Sequence, residues 1–369
     1  MKFGMTQEAL TSVGSNHYRR YHEVVREVQA AEAAGFDFWG TSEQHFVSPH
    51  ATVTAPEVLY GYVAAHTNRI RIRHMVVLLP FAFNHPIRVA ERIATLDIVS
   101  RGRAELGIGR SNQLLQLEGF GVDPKESRAE LIEALDVIGK ALTQKRFSHE
   151  GPKLSIPPRE LSPRAVQVPH PPLSGAGTSH EMARLCGEKG IGLMFADTFL
   201  GWDYLKDGID EYRKGLSQVQ PVTGHVNDTL AICAFSAHCS ESIEEAKRVG
   251  GVDAFRFLRG VSHIYSILSE QSDDYAYMSQ VKELKDHGQD IDFLREKTSS
   301  IVVGTPDDFI ERVRKCQELG AEEVIWRIEG AGHEETMKTI DLIGRYVIPE
   351  FKNPDSIIRE MGHLRGPIP

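Results

Sequence analysis

The order of its segments constrains this chain more than anything else. Strand-like and helix-like stretches alternate from end to end, and such alternation points to a parallel sheet covered by helices. "MKFGMT" reads as a first strand, and "YRRYHEVVREVQAAEAAG" as a helix closed by Gly35. "FDFWGTS" and "APEVLYGYVAAHT" form the second pair. "RIRIRHMVVLLP" and "HPIRVAERIATLDIVS" form the third, with Pro86 in the helix's first turn, where a missing N–H is harmless. "GRAELGIG" and "KESRAELIEALDVIGKALTQ" follow, then "PLSGAG" with "SHEMARLCGEKG". "IGLMFAD" precedes a helix at 201–217, and "TLAICAFSAHC" precedes one starting near Ser242. "TPDDFIERVRKCQELG", "EEVIWRIEG" and "HEETMKTIDLIGRYVIP" complete the series.

Eight strand–helix units over 369 residues predict a closed (β/α)8 TIM barrel, one domain over 1–369, with two insertions. A Pro-rich, loop-like insertion lies near 146–170, and a polar, irregular one near 260–300 is the expected lid. An open doubly wound sheet is the alternative. It calls for a glycine-rich turn after the first strand, and "GMTQEALTSVGS" does not supply GxGxxG.

Composition narrows the function. A net charge of −9 without a Lys/Arg-rich run argues against nucleic acid or an anionic membrane as partner. The four cysteines show no CxxC, and the N-terminus has no apolar signal core, so the expected location is the cytoplasm. "HEETM" at 333–337 is not HExxH, and His238 with Cys239 lacks ligand partners nearby, so no metal site is expected. His17 to His22 reads as a solvated helix start.

In a barrel, the strands' C-terminal ends build the active site. Three groups fall there. "TSEQHF" follows the second strand and offers Glu43, Gln44 and His45; the imidazole suits acid–base work near neutral pH, and a packed structural histidine is the plainer alternative. "GIGRSNQ" follows the fourth, with Arg110 and Asn112; an arginine there suits an oxyanion. "SGAGTSHE" ends the fifth strand and starts a helix. Gly177, Thr178 and Ser179 there can cap the helix, hold a phosphate at its N-terminus, or both.

Together these segments resemble the bacterial luciferase-like flavin monooxygenases. The resemblance rests on "MKFG", "AAEAAGFDFWGTSEQHF" at 30–46, "VVLLPFAFNHPIRVAERIATLDIVSRGRAELGIGRS" at 76–111 and "GFGVDPKESRAELIEAL" at 119–135. It continues in "SHEMARLCGEKG", "VVGTPDDFIERVRKCQELGAEEV" and "GHEETMKTIDLIGRYVIP". The resemblance implies a barrel holding reduced FMN in its mouth. Arg110, Arg128, Asn112, Gly177, Thr178 and Ser179 would surround the phosphate, and Glu43 would lie near the ring. Met75 and Val76 match a place where the family often has a non-prolyl cis peptide. The phosphate site would follow strands four and five, not seven and eight as in many barrels.

Luciferase itself reads Glu-His-His at the "EQH" triplet and uses its middle histidine. Gln44 stands there in this chain, so His45 inherits the proton role and Gln44 becomes a neutral partner. Thr178 and Met182 also depart from luciferase, which speaks against light emission. The implied activity is a two-component monooxygenase. A separate NAD(P)H:flavin reductase supplies FMNH2, O2 is the co-substrate, and a C4a-peroxyflavin oxygenates a small organic molecule. Phe46, Phe81, Phe83 and Trp326 are expected to offer the substrate an apolar rim, and the family favours homodimers. The competing readings are an F420-dependent hydride-transferring enzyme of the same superfamily and a non-catalytic flavin-binding partner subunit.

Overall fold

The computed structural model describes residues 1–287 and 289–352. Eight parallel strands close into a barrel: Lys2–Thr6, Phe38–Thr41, Arg71–His74, Ala104–Gly109, Leu173–Gly177, Gly192–Phe195, Leu230–Ala234 and Glu323–Arg327. Closure is complete because the first strand pairs with both the second and the eighth. The sequence count of eight units is therefore the count of the barrel.

Side chains alternate between lumen and helices along each strand. In the eighth strand Glu323, Ile325 and Arg327 face inward. Val324 and Trp326 face outward, where Trp326 packs edge-on against Phe309, with ring centroids 5.1 Å apart. Trp326 is thus core, not rim, and the expectation that it meets substrate is corrected by the period of two.

Low in the lumen Arg73 bridges to Glu105 on the fourth strand and to Glu323 on the eighth, the latter at 2.6 Å. All three are buried, and the guanidinium lies 3.9 Å over the Phe38 ring. Burial alone would raise the Glu105 pKa; Arg73 and Arg71 outweigh it and draw the carboxyl down to about 2. Above this layer Phe38, Met194, Ala231 and Ile325 form an apolar plug with Met75 and Val76.

Four stretches differ from the sequence reading. The third strand ends at His74, and a two-residue piece, Val77–Leu78, continues beside the fourth strand beyond the cis peptide Met75–Val76. The seventh strand leaves the barrel at Phe235. Ser236–Cys239 pairs with Ile301–Gly304 in a side ladder that the sequence did not announce. The expected loop near 146–170 contains an antiparallel hairpin, Phe147–Glu150 with Ser155–Arg159. The expected insertion near 260–300 begins inside a 26-residue helix, Ile243–Leu268. A 3-10 segment, Asp273–His287, and a short helix, Ile291–Lys297, follow it. Gly288 and residues 353–369 of the expected 1–369 domain lie outside the described residues.

The helix His17–Ala34 also departs from expectation at its start. His17, Tyr18 and Arg19 are exposed as expected, but Arg20 is buried, 2.7 Å from Glu27 and 3.6 Å from Glu329, so this one residue belongs to a charged interior layer.

Candidate active site

A cavity of about 800 Å3 opens at the C-terminal ends of the strands. Its floor is apolar, built from Met75, Val76, Ala176, Met194, Cys233 and Ile325. Burial pushes the Cys233 thiol up to about 12, so the floor carries a neutral thiol and no thiolate nucleophile. Gly109 shapes one wall, since a Cβ there would fall 2.5 Å from the Val76 Cγ2.

On one side Arg110 lines the cavity, and Arg128, behind that lining, converges with it. Arg110 Nη1 and Arg128 Nε each lie 2.9 Å from the same Asp274 Oδ2. Arg110 Nη1 also donates to Ser127 Oγ at 3.2 Å, and the guanidinium stacks 4.1 Å over the Tyr275 ring. Next to this pair the fifth strand ends in Gly177, where a Cβ would meet Met182 at 2.9 Å. Ser179 then caps the helix His180–Lys189 by accepting from Met182 N at 3.2 Å. Its hydroxyl hydrogen and the N–H groups of His180 and Glu181 remain for an anion. Thr178 meets the Tyr277 hydroxyl at 2.5 Å, and Asn112 donates to the Tyr265 hydroxyl at 3.1 Å. Burial pushes Tyr265 up to about 12 and raises Tyr275 and Tyr277 as well, so all three phenols keep their protons.

The "EQH" triplet splits in two. Glu43 and Gln44 line the cavity, and His45 lies behind them. The Glu43 carboxylate is fully engaged. It accepts from Leu78 N at 2.9 Å and from Asn84 Nδ2 at 2.9 and 3.0 Å, and it lies 3.1 Å from His45 Nε2. The His45 ring packs against Phe120 at 4.7 Å and stacks on Phe83 at 6.0 Å. Phe83 is therefore part of this aromatic support, whereas Phe46, 60% exposed, lines the cavity mouth. Phe81 packs against the main core. Gln44 donates to Glu8 Oε1 at 3.2 Å and accepts from Gln113 at 3.0 Å, which fixes its amide.

Several cavity groups were not anticipated. Glu8 sits two residues past the first strand and accepts from Ser42 Oγ at 2.5 Å. Arg327, at the end of the eighth strand, lies 3.0 Å from Glu329 and 3.3 Å from Asp253. Burial alone would weaken the Arg327 charge; Asp253, Glu329 and Glu8 outweigh that and raise its pKa. Inspection of every strand end would have found Glu8 and Arg327. No sequence signal marks Asp274, which meets arginines 164 and 146 positions away.

Comparison with known proteins bears out the family and the fold. The family described as luciferase-like monooxygenase matches residues 1–323. Limonene 1,2-monooxygenase of Rhodococcus erythropolis is 26% identical, over 89% of this chain and 81% of its own. The 4-hydroxyprotoasukamycin monooxygenase of Streptomyces nodosus subsp. asukaensis is also 26% identical, over 88% and 86%. Among solved structures, monooxygenase RslO1 from Streptomyces bottropensis superposes with a TM-score of 0.78 at 22% identity, covering 95% of this chain and 100% of that one. The oxygenating constituent of 3,6-diketocamphane monooxygenase from Pseudomonas putida, in complex with FMN, gives 0.73 at 21% over 96% and 99%. The coenzyme F420-dependent tetrahydromethanopterin reductase of Methanopyrus kandleri gives 0.68 at 18% over 95% and 99%. At these identities the structural likeness speaks for the fold alone.

Proposed function

The chain belongs to the luciferase-like monooxygenase family, and from that premise we propose that it is the oxygenating component of a two-component system using reduced FMN, O2 and a small organic substrate. One observation carries the reading: two guanidinium groups converge on a single oxygen position beside a serine-capped helix N-terminus, at the mouth of an apolar-floored cavity. This donor set fits a phosphate monoester, and the floor fits a flat ring. Arg110, Arg128, Thr178 and Ser179 hold the phosphate, with Asn112 and Gly177 completing that wall. Met75 and Val76 support the ring from the floor, and Glu43 fixes the wall beside it. Bound reduced flavin supplies the electrons that activate O2, which no side chain here offers.

The chain's own work is to bind, orient and exclude water. The apolar lining keeps the reacting region dry. The Tyr265 hydroxyl, kept protonated by burial and accepting from Asn112, is an available donor inside the cavity, while the Tyr277 hydroxyl is engaged with Thr178. Gln44 presents a fixed neutral amide. His45 does not line the cavity, and acts by holding Glu43 in place. Leu10, Phe46, Val47, Leu115, Val261 and Ile264 line the cavity too and favour a substrate with an apolar body.

Under this reading a separate NAD(P)H:flavin reductase delivers the cofactor, and the working form is a cytoplasmic homodimer. Among the described residues no helix is long and apolar enough to cross a membrane. An anaerobic titration with FMNH2 and with reduced F420, followed by admission of O2, tests the assignment. Tight FMNH2 binding with O2 consumption is expected. Preferential binding of reduced F420 without O2 uptake moves the protein to the hydride-transferring branch. Binding of FMNH2 without any effect on its reaction with O2 removes the catalytic reading and leaves the flavin-binding partner subunit.

A further inference from the structure

Asp274 stands at the point where the two arginines would receive a ligand oxyanion. Its Oδ2 lies 2.9 Å from Arg110 Nη1 and 2.9 Å from Arg128 Nε, and its backbone carbonyl accepts from Arg110 Nη2 at 3.3 Å. The residues just after it tighten the attachment. The Tyr275 ring underlies Arg110, its hydroxyl donates to the Ser111 carbonyl at 3.1 Å, and the Tyr277 hydroxyl meets Thr178. All three residues belong to the 3-10 segment Asp273–His287, which is no part of the barrel. This segment therefore grips Arg110, Arg128 and Thr178, the groups assigned above to the flavin phosphate. Two oxyanions cannot share one position at hydrogen-bond distance from the same two guanidinium groups.

We propose that Asp274 is an internal occupant of the phosphate site, which the phosphate of an incoming ligand must displace. The inference rests on the reading of Arg110 and Arg128 as phosphate-binding. Charge makes the exchange feasible. A phosphate monoester carries more negative charge than one carboxylate and brings three acceptor oxygens. The Asp274 side chain is 31% exposed and Arg128 27%, so water screens the internal pairs. The Tyr275, Met278 and Val281 side chains are buried in an apolar cluster, which anchors the segment while the carboxylate swings away. Binding to a site that is mostly self-occupied is weakened by the open fraction, and two part-exposed ion pairs set that factor at roughly 3- to 30-fold.

The test is Asp274→Asn, with Asp274→Ser as a second variant should the amide perturb folding. Equilibrium binding of FMN, riboflavin and inorganic phosphate is measured on the whole chain. FMN and phosphate should bind roughly 3- to 30-fold more tightly to the variant, with riboflavin unchanged. Phosphate should also raise the variant's melting temperature more than the wild type's at equal concentration. Unchanged or weaker FMN binding by both variants overturns the proposal, as does an equal shift for FMN and riboflavin. If the wild type itself binds FMN no better than riboflavin and ignores phosphate, the phosphate reading of the arginines fails first. If it prefers FMN and the variants leave that preference unaltered, displacement alone is refuted.

Discussion

Replacement of His45 separates a proton-transfer group from a positioning group. The imidazole is 13% exposed, touches Glu43 at 3.1 Å and packs on Phe120 and Phe83. His45→Ala deletes one hydrogen bond to a carboxylate, about 1.5–3 kcal/mol, and leaves a ring-sized void worth about another 1–2 kcal/mol. Glu43 keeps Leu78 N and Asn84 Nδ2 as donors, so its place in the wall survives in part. The expected loss of stability is on the order of 2–4 kcal/mol, read from urea unfolding. His45→Gln retains a donor toward Glu43 and should recover most of that stability. The reaction of the FMNH2 complex with O2, followed by stopped-flow absorbance, should stay within about tenfold of wild type in His45→Gln, since an amide can position but cannot titrate. A loss of roughly 10²-fold or more in a stable His45→Gln protein, the scale of a missing general acid or base, would refute the positioning role.

Arg110→Ala should weaken FMN binding by about 2–3 kcal/mol, roughly 30- to 150-fold, and leave riboflavin binding nearly unchanged in parallel titrations. Acid should destabilise the fold in two stages. Burial, with Arg92 adding to it, holds His74 down at about 3 from an ordinary 6.5, so the unfolded chain binds the extra proton and stability falls as pH drops from 6.5 towards 3. Glu105, held at about 2 from an ordinary 4.5, adds a loss between those values; urea melts of His74→Leu should lack the upper stage. Arg73→Met leaves Glu105 with Arg71 alone and Glu323 with only Lys2 at 3.4 Å, and should cost about 3–5 kcal/mol in the same assay.

The barrel was legible because strand and helix periods alternate so regularly, and the helix start at Ser179 because glycines and a capping serine mark that strand end. The side ladder was not legible. "AFSAHC" stays apolar through the point where the chain leaves the barrel, and the turn is made by Phe235 N donating to Ser300 O at 2.8 Å, a contact across 65 positions. The hairpin near 147–159 was hidden by its prolines, which an edge strand tolerates. Proximity in sequence does not become proximity in the cavity at His45. Its neighbours Glu43 and Gln44 reach the cavity, while a packed aromatic cluster holds the imidazole behind Glu43. The pairing of Arg110 and Arg128 with Asp274 is a long-range electrostatic contact that no local pattern encodes.

The ion layer low in the barrel bears on how the ring finds its register. Arg73 and Glu323 are 250 positions apart on strands that do not pair with each other, yet they meet across the lumen at 2.6 Å. A slip of the last strand by one residue would turn Glu323 toward the helices and Val324 toward the guanidinium. Apolar contacts would tolerate that error, because valine suits either face. A buried guanidinium left with Glu105 alone, its other nitrogens facing valine, would not, so the closing strand is proofread by charge at the far end of the chamber from the chemistry.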